Sequence, residues 1–114
     1  AYEVHKELGP GLLEKVYESC IAQVLREDKI VVVRQQLIPV NFKGKVYDDA
    51  LRLDLLVDDL VICEIKAAEA INPVWHAQIL SHLKLTGKNL GYLINFNVPL
   101  IKQGIKRFIF NHNK

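Results

Sequence analysis

Residues 51–66 read Leu51-Arg52-Leu53-Asp54-Leu55-Leu56-Val57-Asp58-Asp59-Leu60-Val61-Ile62-Cys63-Glu64-Ile65-Lys66. Successive side chains of a strand point to opposite faces. Leu51, Leu53, Leu55 and Val57 are therefore expected on one face, with Arg52, Asp54 and Leu56 on the other. In the following run Ile62, Glu64 and Lys66 share a face, opposite Val61, Cys63 and Ile65. Two apolar strands thus each carry a carboxylate. Such a group costs several kcal/mol among apolar neighbours unless it is compensated, and two carboxylates brought together also repel. A divalent cation resolves both problems. Mg²⁺ takes oxygen ligands, often one or two carboxylates with water and phosphate. The turn length decides whether the acids meet. A three-residue turn over Asp58-Asp59-Leu60 sets Asp54 opposite Glu64, whereas a two-residue turn pairs Asp54 with Cys63 and separates the acids. The first is expected. Lys66 shares the Glu64 face, and two roles stay open for it: an ion-pair partner, or a cation that holds water and stabilises charge at phosphorus.

Outward from this core, Leu12 to Asp28 reads as an amphipathic helix, with Leu13, Val16, Tyr17, Cys20, Ile21, Val24 and Leu25 at the 3.6-residue period. Lys15, Ser19, Ala22, Gln23 and Arg26 fall on its other face. Tyr2 to Leu8 has weak helical character and stops at Gly9-Pro10-Gly11. The stretch opens on Ala1-Tyr2-Glu3 with no methionine, so it is read as beginning inside a helix with residues missing before it. Ile30 to Phe42 is β-branched and strand-like, Lys43-Gly44-Lys45 is a hairpin turn, and Val46 to Val57 is a second strand bent near Asp48-Asp49. Leu60 to Lys66 is apolar on both faces until Glu64, which suits a central strand. Asn72 caps a helix with Pro73 at its first position, and Gly87 stops it. Leu90 to Phe96 reads as a fourth strand and Val98 to Phe110 as a closing helix.

The length of 114 residues suits one domain, and 50% hydrophobic residues supply its core. A net charge of +2 neither requires nor excludes a nucleic-acid partner. Cys20 and Cys63 lie far apart with no CxxC pattern, so a thiolate zinc site is not expected and both read as small buried groups of a reducing compartment. No apolar run approaches the ~20 residues that span a bilayer, and no signal-peptide pattern is present. The expectation is a cytoplasmic chain with no membrane partner. No glycine-rich phosphate loop, serine–histidine–acid set or dinucleotide fingerprint appears.

Asp54 followed by Glu64-Ile65-Lys66 resembles the PD-(D/E)xK phosphodiesterase superfamily, although Leu53 stands where that name has proline. More specifically, Gly11-Leu12-Leu13-Glu14-Lys15-Val16-Tyr17 resembles the naming motif of the GxxExxY family. Val4-His5, Leu8-Gly9-Pro10-Gly11, Arg52-Leu53-Asp54-Leu55, Gln78 and Leu93-Ile94-Asn95-Phe96-Asn97 look like that family too. The resemblance covers nearly the whole chain. It implies an α/β (α+β) restriction-endonuclease-like core in αβββαβ order, with a mixed four-stranded central sheet flanked by helices, as one nuclease-like domain over residues 1–114.

The resemblance also implies roles. Asp54, Glu64, the backbone carbonyl of Ile65 and Glu14 would be metal ligands, Lys66 the catalytic lysine, and Gln78 a helix glutamine near water or substrate. His82 stands where many relatives of the Gln78 type carry tyrosine. Glu14 sits at the edge of the apolar stripe of its helix and not on the solvated face; a helix-start acid favoured by the macrodipole is the plain account of it, and the resemblance favours a site role. Arg52, His82, Lys102, Lys106 and Arg107 are candidate nucleic-acid contacts: Arg52, on the Asp54 face, pairs an acid or contacts phosphate, His82 lies one turn after Gln78, and the last three share one face of the closing helix, where a solvated face is the plainer reading of each. Trp75 reads as core rather than as a base-stacking platform, and His76 and His82 lie too far apart to share a metal. The expected function is a Mg²⁺- or Mn²⁺-dependent nuclease acting on nucleic acid, with DNA favoured by analogy alone. The alternative is a nucleic-acid- or protein-binding module that keeps the fold with little catalysis. A chain this small alone spans only a short stretch of duplex, which leaves a homodimer open as an assembly.

Overall fold

A computed structural model describes residues 1–112. Helices α1 (Tyr2–Leu8) and α2 (Glu14–Glu27) lead into strands β1 (Val32–Phe42), β2 (Lys45–Val57) and β3 (Val61–Lys66). Helix α3 (Val74–Thr86) then crosses to β4 (Leu90–Asn95), and a short 3₁₀ turn (Ile101–Gln103) precedes β5 (Ile105–Ile109). The expected αβββαβ order holds. The strands form one sheet in the order β1-β2-β3-β4-β5, so β3 is central as its double-sided apolarity implied. Only β3 and β4 pair in parallel, joined by α3, and the other three neighbours are antiparallel. No helix among the described residues is long and apolar enough to cross a membrane.

The sheet has five strands rather than four, because the closing helix expected over Val98–Phe110 is absent. Ile105–Ile109 is a strand antiparallel to β4. Gly104 interrupts any helical run there, and the isoleucines and phenylalanine that follow suit a half-buried edge strand. The helix begins at Val74 with Pro73 at its N-cap, one residue later than expected, and Asn72 Oδ1 accepts the Val74 N–H at 3.0 Å. The bend at Asp48-Asp49 is also real: the β1–β2 register shifts between Ile38 and Val40, and Asp49 takes φ 58°.

Two hydrophobic clusters clamp the sheet. On one side Val4 of α1 with Tyr17, Ile21 and Ala22 of α2 pack on Leu55, Cys63, Ile65, Ile94 and Phe96. On the other, Leu83 of α3 packs with Leu53, Leu56 and Ile62. The buried stripe of α2 is Tyr17, Glu18, Ile21 and Ala22, so Ala22 is core and Leu13 and Val16 are exposed, a rotation from the stripe expected. Tyr17 is fully buried and stacks on Phe96 at 4.3 Å. Its hydroxyl donates to the Gly9 carbonyl and accepts the Leu12 N–H, which ties down the turn that carries α1 into α2. Burial pushes the Cys63 thiol up to about 12, so it behaves as a small inert core group.

The strict alternation expected along β2 does not hold. Leu53 and Leu55 join opposite clusters. Between their partners Gln36 and Arg34 lies Gln35, whose φ of 53° interrupts β1 opposite Asp54.

Gly104 allows β5 to close against the end of β4. The Asn95 N–H donates to the Gly104 carbonyl at 2.8 Å, and a Cβ on Gly104 would meet the Asn95 carbonyl oxygen at 1.9 Å. That obstacle is backbone and cannot swing aside. Gly104→Ala is expected to cost about 1–3 kcal/mol, the usual penalty for overpacking. Urea denaturation should show a lowered midpoint. An unchanged midpoint would mean that β5 adjusts freely.

Candidate active site

The backbone ladder between β2 and β3 runs from Val57 and Val61 to Leu55 and Cys63. The connecting turn is Asp58-Asp59-Leu60, which sets Asp54 against Glu64 at the next step. There the strands part, and side chains replace the ladder. The Ile65 N–H donates to Asp54 Oδ2 at 2.8 Å, and the Asp54 N–H donates to Glu64 Oε2 at 3.4 Å. Each acid thus accepts a backbone donor from the opposite strand. Orphaned N–H groups in a sheet interior need such partners.

Glu64 is buried, and its other oxygen is held from α3: His82 Nδ1 lies 2.7 Å from Glu64 Oε1. An ionised carboxylate only accepts, and a proton on Nδ1 would match it in this contact. Asp54 is partly buried. Burial, reinforced by the neighbouring charge of Glu64, pushes its carboxyl up to about 6. The Ile65 N–H and the Lys66 charge pull the other way without cancelling the rise.

Asp54, Glu64, Lys66, Gln78, His82 and Arg52 line one hollow on the α3 side of the sheet. Lys66 Nζ rests over the Trp75 ring, 5.3 Å from its centroid. A second hollow opens toward α2, lined by Glu14, Glu18, Arg34, Gln35, Arg52, Asp54 and Ile65. Asp54 and Arg52 border both, because the alternation of β2 breaks at this point. Glu14 is exposed and faces Asp54 from the α2 side, and it does not share the α3-side hollow with Glu64. Among the described residues no three histidine, cysteine or acidic side chains converge to hold a metal alone. Two carboxylates side by side nevertheless fit Mg²⁺, which commonly completes its shell with water and substrate oxygens.

The basic residues at the chain end are dispersed rather than collected. With a strand in place of the closing helix, Lys106 pairs with Leu93 and Arg107 with Tyr92, which puts the two cations on opposite faces of the sheet. Lys102 lines a separate hollow with Tyr2, His5 and Pro99. The single basic face expected from Lys102, Lys106 and Arg107 does not exist.

In comparisons with known proteins, the profile of the PD-(D/E)XK nuclease superfamily matches residues 1–108. This chain belongs to that superfamily. Among solved structures, the crystal structure of SSO0001 is similar, with a TM-score of 0.52 at 20% identity. The likeness covers 86% of this chain and 50% of that one, so the chain spans half the length of that structure. At this identity it speaks to fold alone. No curated protein matches the chain.

Two residues that line these hollows carry no clear signal in the sequence. Glu18 is buried and pairs with Arg34 at 3.0 Å. Its spacing of three and four residues to the buried Ile21 and Ala22 is the signal the sequence offers, a weak one because alanine suits a solvated face as well as a core. Trp75, expected in the core, walls the cleft under Lys66. No spacing rule relates a helix residue to a strand lysine before the fold is known.

The raised Asp54 pKa has a defined consequence in metal-free protein. The folded value of about 6 exceeds the ordinary 3.8. The favourable contribution of the protonated group is full below the unfolded value and is lost as pH rises through the folded one. Asp54→Asn does not titrate and keeps an oxygen for the Ile65 N–H. The variant should therefore gain stability over wild type between pH ~4 and ~7. Denaturation in chelator across this range checks it. A stability difference independent of pH would contradict the assigned cause.

Proposed function

We propose that this chain is a divalent-metal-dependent nuclease that hydrolyses phosphodiester bonds of nucleic acid, with DNA as the substrate favoured by analogy. The observation that carries the reading is the Asp54–Glu64 pair, set side by side where β2 and β3 part, with Lys66 in the same hollow. Membership of the nuclease superfamily supports it. The Gly11, Glu14 and Tyr17 spacing supports placement in the GxxExxY branch, and we read residues 1–114 as one nuclease-like domain. A cytoplasmic setting agrees with two free cysteines, and a homodimer would lengthen the reach on duplex.

Asp54, Glu64 and the Ile65 carbonyl would hold Mg²⁺ or Mn²⁺. When bound, such an ion polarises the phosphate and lowers the pKa of its water. Glu64 is presented in one rotamer by His82 and by the Asp54 N–H. Asp54, with a pKa of about 6, is mostly ionised at neutral pH and can serve as a ligand there. Lys66, resting on Trp75, would orient the attacking water or donate to a non-bridging oxygen as charge develops on it. Gln78 would position water or substrate, and Arg52 would contact a neighbouring phosphate. Glu14 would extend the acidic environment from the α2 side. Lys106 and His82 remain candidate contacts to the strand, whereas Lys102 and Arg107 lose support from their placement.

One observation favours the second reading, a binding module with little catalysis: among the described residues only two carboxylates meet, and no third acid joins them. Calorimetry and cleavage separate the two. The nuclease reading expects Mg²⁺ or Mn²⁺ binding that Glu64→Ala abolishes, and Mn²⁺-dependent cleavage reduced at least ~100-fold by Asp54→Ala or Lys66→Ala, in line with losing an electrostatic or acid–base group. Absence of metal binding, or cleavage that survives both substitutions, would refute it.

A further inference from the structure

Beside the acid-lined cleft lies a hollow that the reading above leaves unused. Trp75, Leu93, Asn97, Gln103 and Lys106 are among its walls, and it encloses about 240 Å³. Trp75 and Leu93 also line the cleft with Glu64 and Lys66, so the two share a wall. The volume falls below the ~300–1,000 Å³ of pockets for drug-sized ligands. One flat ring system suits it better than a larger molecule.

The wall chemistry narrows the occupant. Asn95 is buried and its amide is spent: Nδ2 donates to the Ala68 carbonyl, and Oδ1 accepts the Ala68 and Asn97 N–H groups. The side-chain amide of Asn97 and Nε2 of Gln103 make no hydrogen bond among the described residues. They are free to meet a polar edge. Trp75 supplies a partly exposed aromatic wall, and Lys106 an exposed cation. Glu69, an exposed acid in the same lining, opposes a phosphate filling the hollow. An aromatic wall, amide donors and acceptors for an edge, and a cation outside form the set that recognises an unstacked base with its phosphate in solvent.

Resting on the nuclease reading, we propose that this hollow takes the base of an unpaired nucleotide next to the scissile phosphate, so that the substrate is single-stranded or locally unpaired nucleic acid. A base inside a duplex is stacked and paired and cannot enter a hollow without being extruded. Asn97 and Gln103 meet the edge of the base, Trp75 its face, and Lys106 the flanking phosphate.

Trp75 is the chain's single tryptophan, so its emission reports on this wall. The test titrates the whole chain, in chelator, with AMP, dAMP and the base-less control ribose 5-phosphate. The proposal expects a saturable change in emission with both nucleotides and none with ribose 5-phosphate. Asn97→Ala should weaken nucleotide binding about five-fold, the loss expected from one or two neutral hydrogen bonds. A short oligodeoxyadenylate should bind more tightly than its duplex with oligothymidylate. An equal response to ribose 5-phosphate, no saturable response, or tighter binding of the duplex would overturn the proposal, and these arms need only the wild-type chain. An Asn97→Ala variant that melts like wild type yet binds undiminished would overturn it as well. Chelator prevents cleavage, so the outcome is separable from the nuclease reading. Cleavage that depends on Lys66, without a base response, removes the hollow alone. A base response without any cleavage removes the nuclease reading alone.

Discussion

The parting of β2 from β3 is the constraint on which the site depends. Hydrogen-bonded strands have no room for a ligand between them. Beyond Leu55 and Cys63 the ladder ends, and the exposed donors need new acceptors. Asp54 and Glu64 supply them, each across to the other strand. The same carboxylates that would bind a cation therefore serve as structural substitutes for main-chain bonds. This dual use explains how two acids persist at the middle of a sheet clamped by apolar clusters on both faces.

The break in β2 follows from its neighbour. Gln35 adopts φ 53° opposite Asp54, and the cores on either side of that point belong to different layers. A regular strand would aim Asp54 at one face only. Here it borders a hollow on each side of the sheet, so residues of α2 and α3 both reach it. Backbone strain of this kind is sustained where surrounding bonds hold it. Gln35 Nε2 and Arg34 both donate to the buried Glu18, which fixes the irregular segment to α2.

Much of this arrangement was legible in the sequence where local rules are strong. The Asp58-Asp59-Leu60 turn gave the register of the acids, because a one-residue change flips every side chain. Gly9-Pro10-Gly11, the Asp48-Asp49 bend and Asn72 were equally readable from turn and cap chemistry. The closing segment was not. Ile105, Phe108 and Ile109 fit a helical stripe as well as an edge strand, and only β4 supplied the partner that decides. A helix there would give Lys102, Lys106 and Arg107 a common face, which the strand does not. Glu18 was hidden for a different reason: a buried acid is legible only with its partner, and Arg34 comes from another element.

The orientation of α3 links the fold to the chemistry most directly. Trp75, Gln78 and His82 recur at intervals of three and four residues, so one stripe of the helix faces the cleft. Ile79 and Leu83, beside that stripe, are fully buried against the sheet. Gly91 lets the helix come close, since a Cβ there would sit 3.0 Å from Ile79 Cδ1. Helix rotation is therefore set by packing and not by the polar residues themselves. Once seated, His82 fixes the rotamer of Glu64, Trp75 supports Lys66, and the same Trp75 divides the cleft from the neighbouring hollow. A small tilt of α3 would shift three cleft-lining side chains together, whereas the acids, bonded to the strands, would stay. The geometry of the candidate site is thus a property of how α3 docks, and the acid pair alone does not define it.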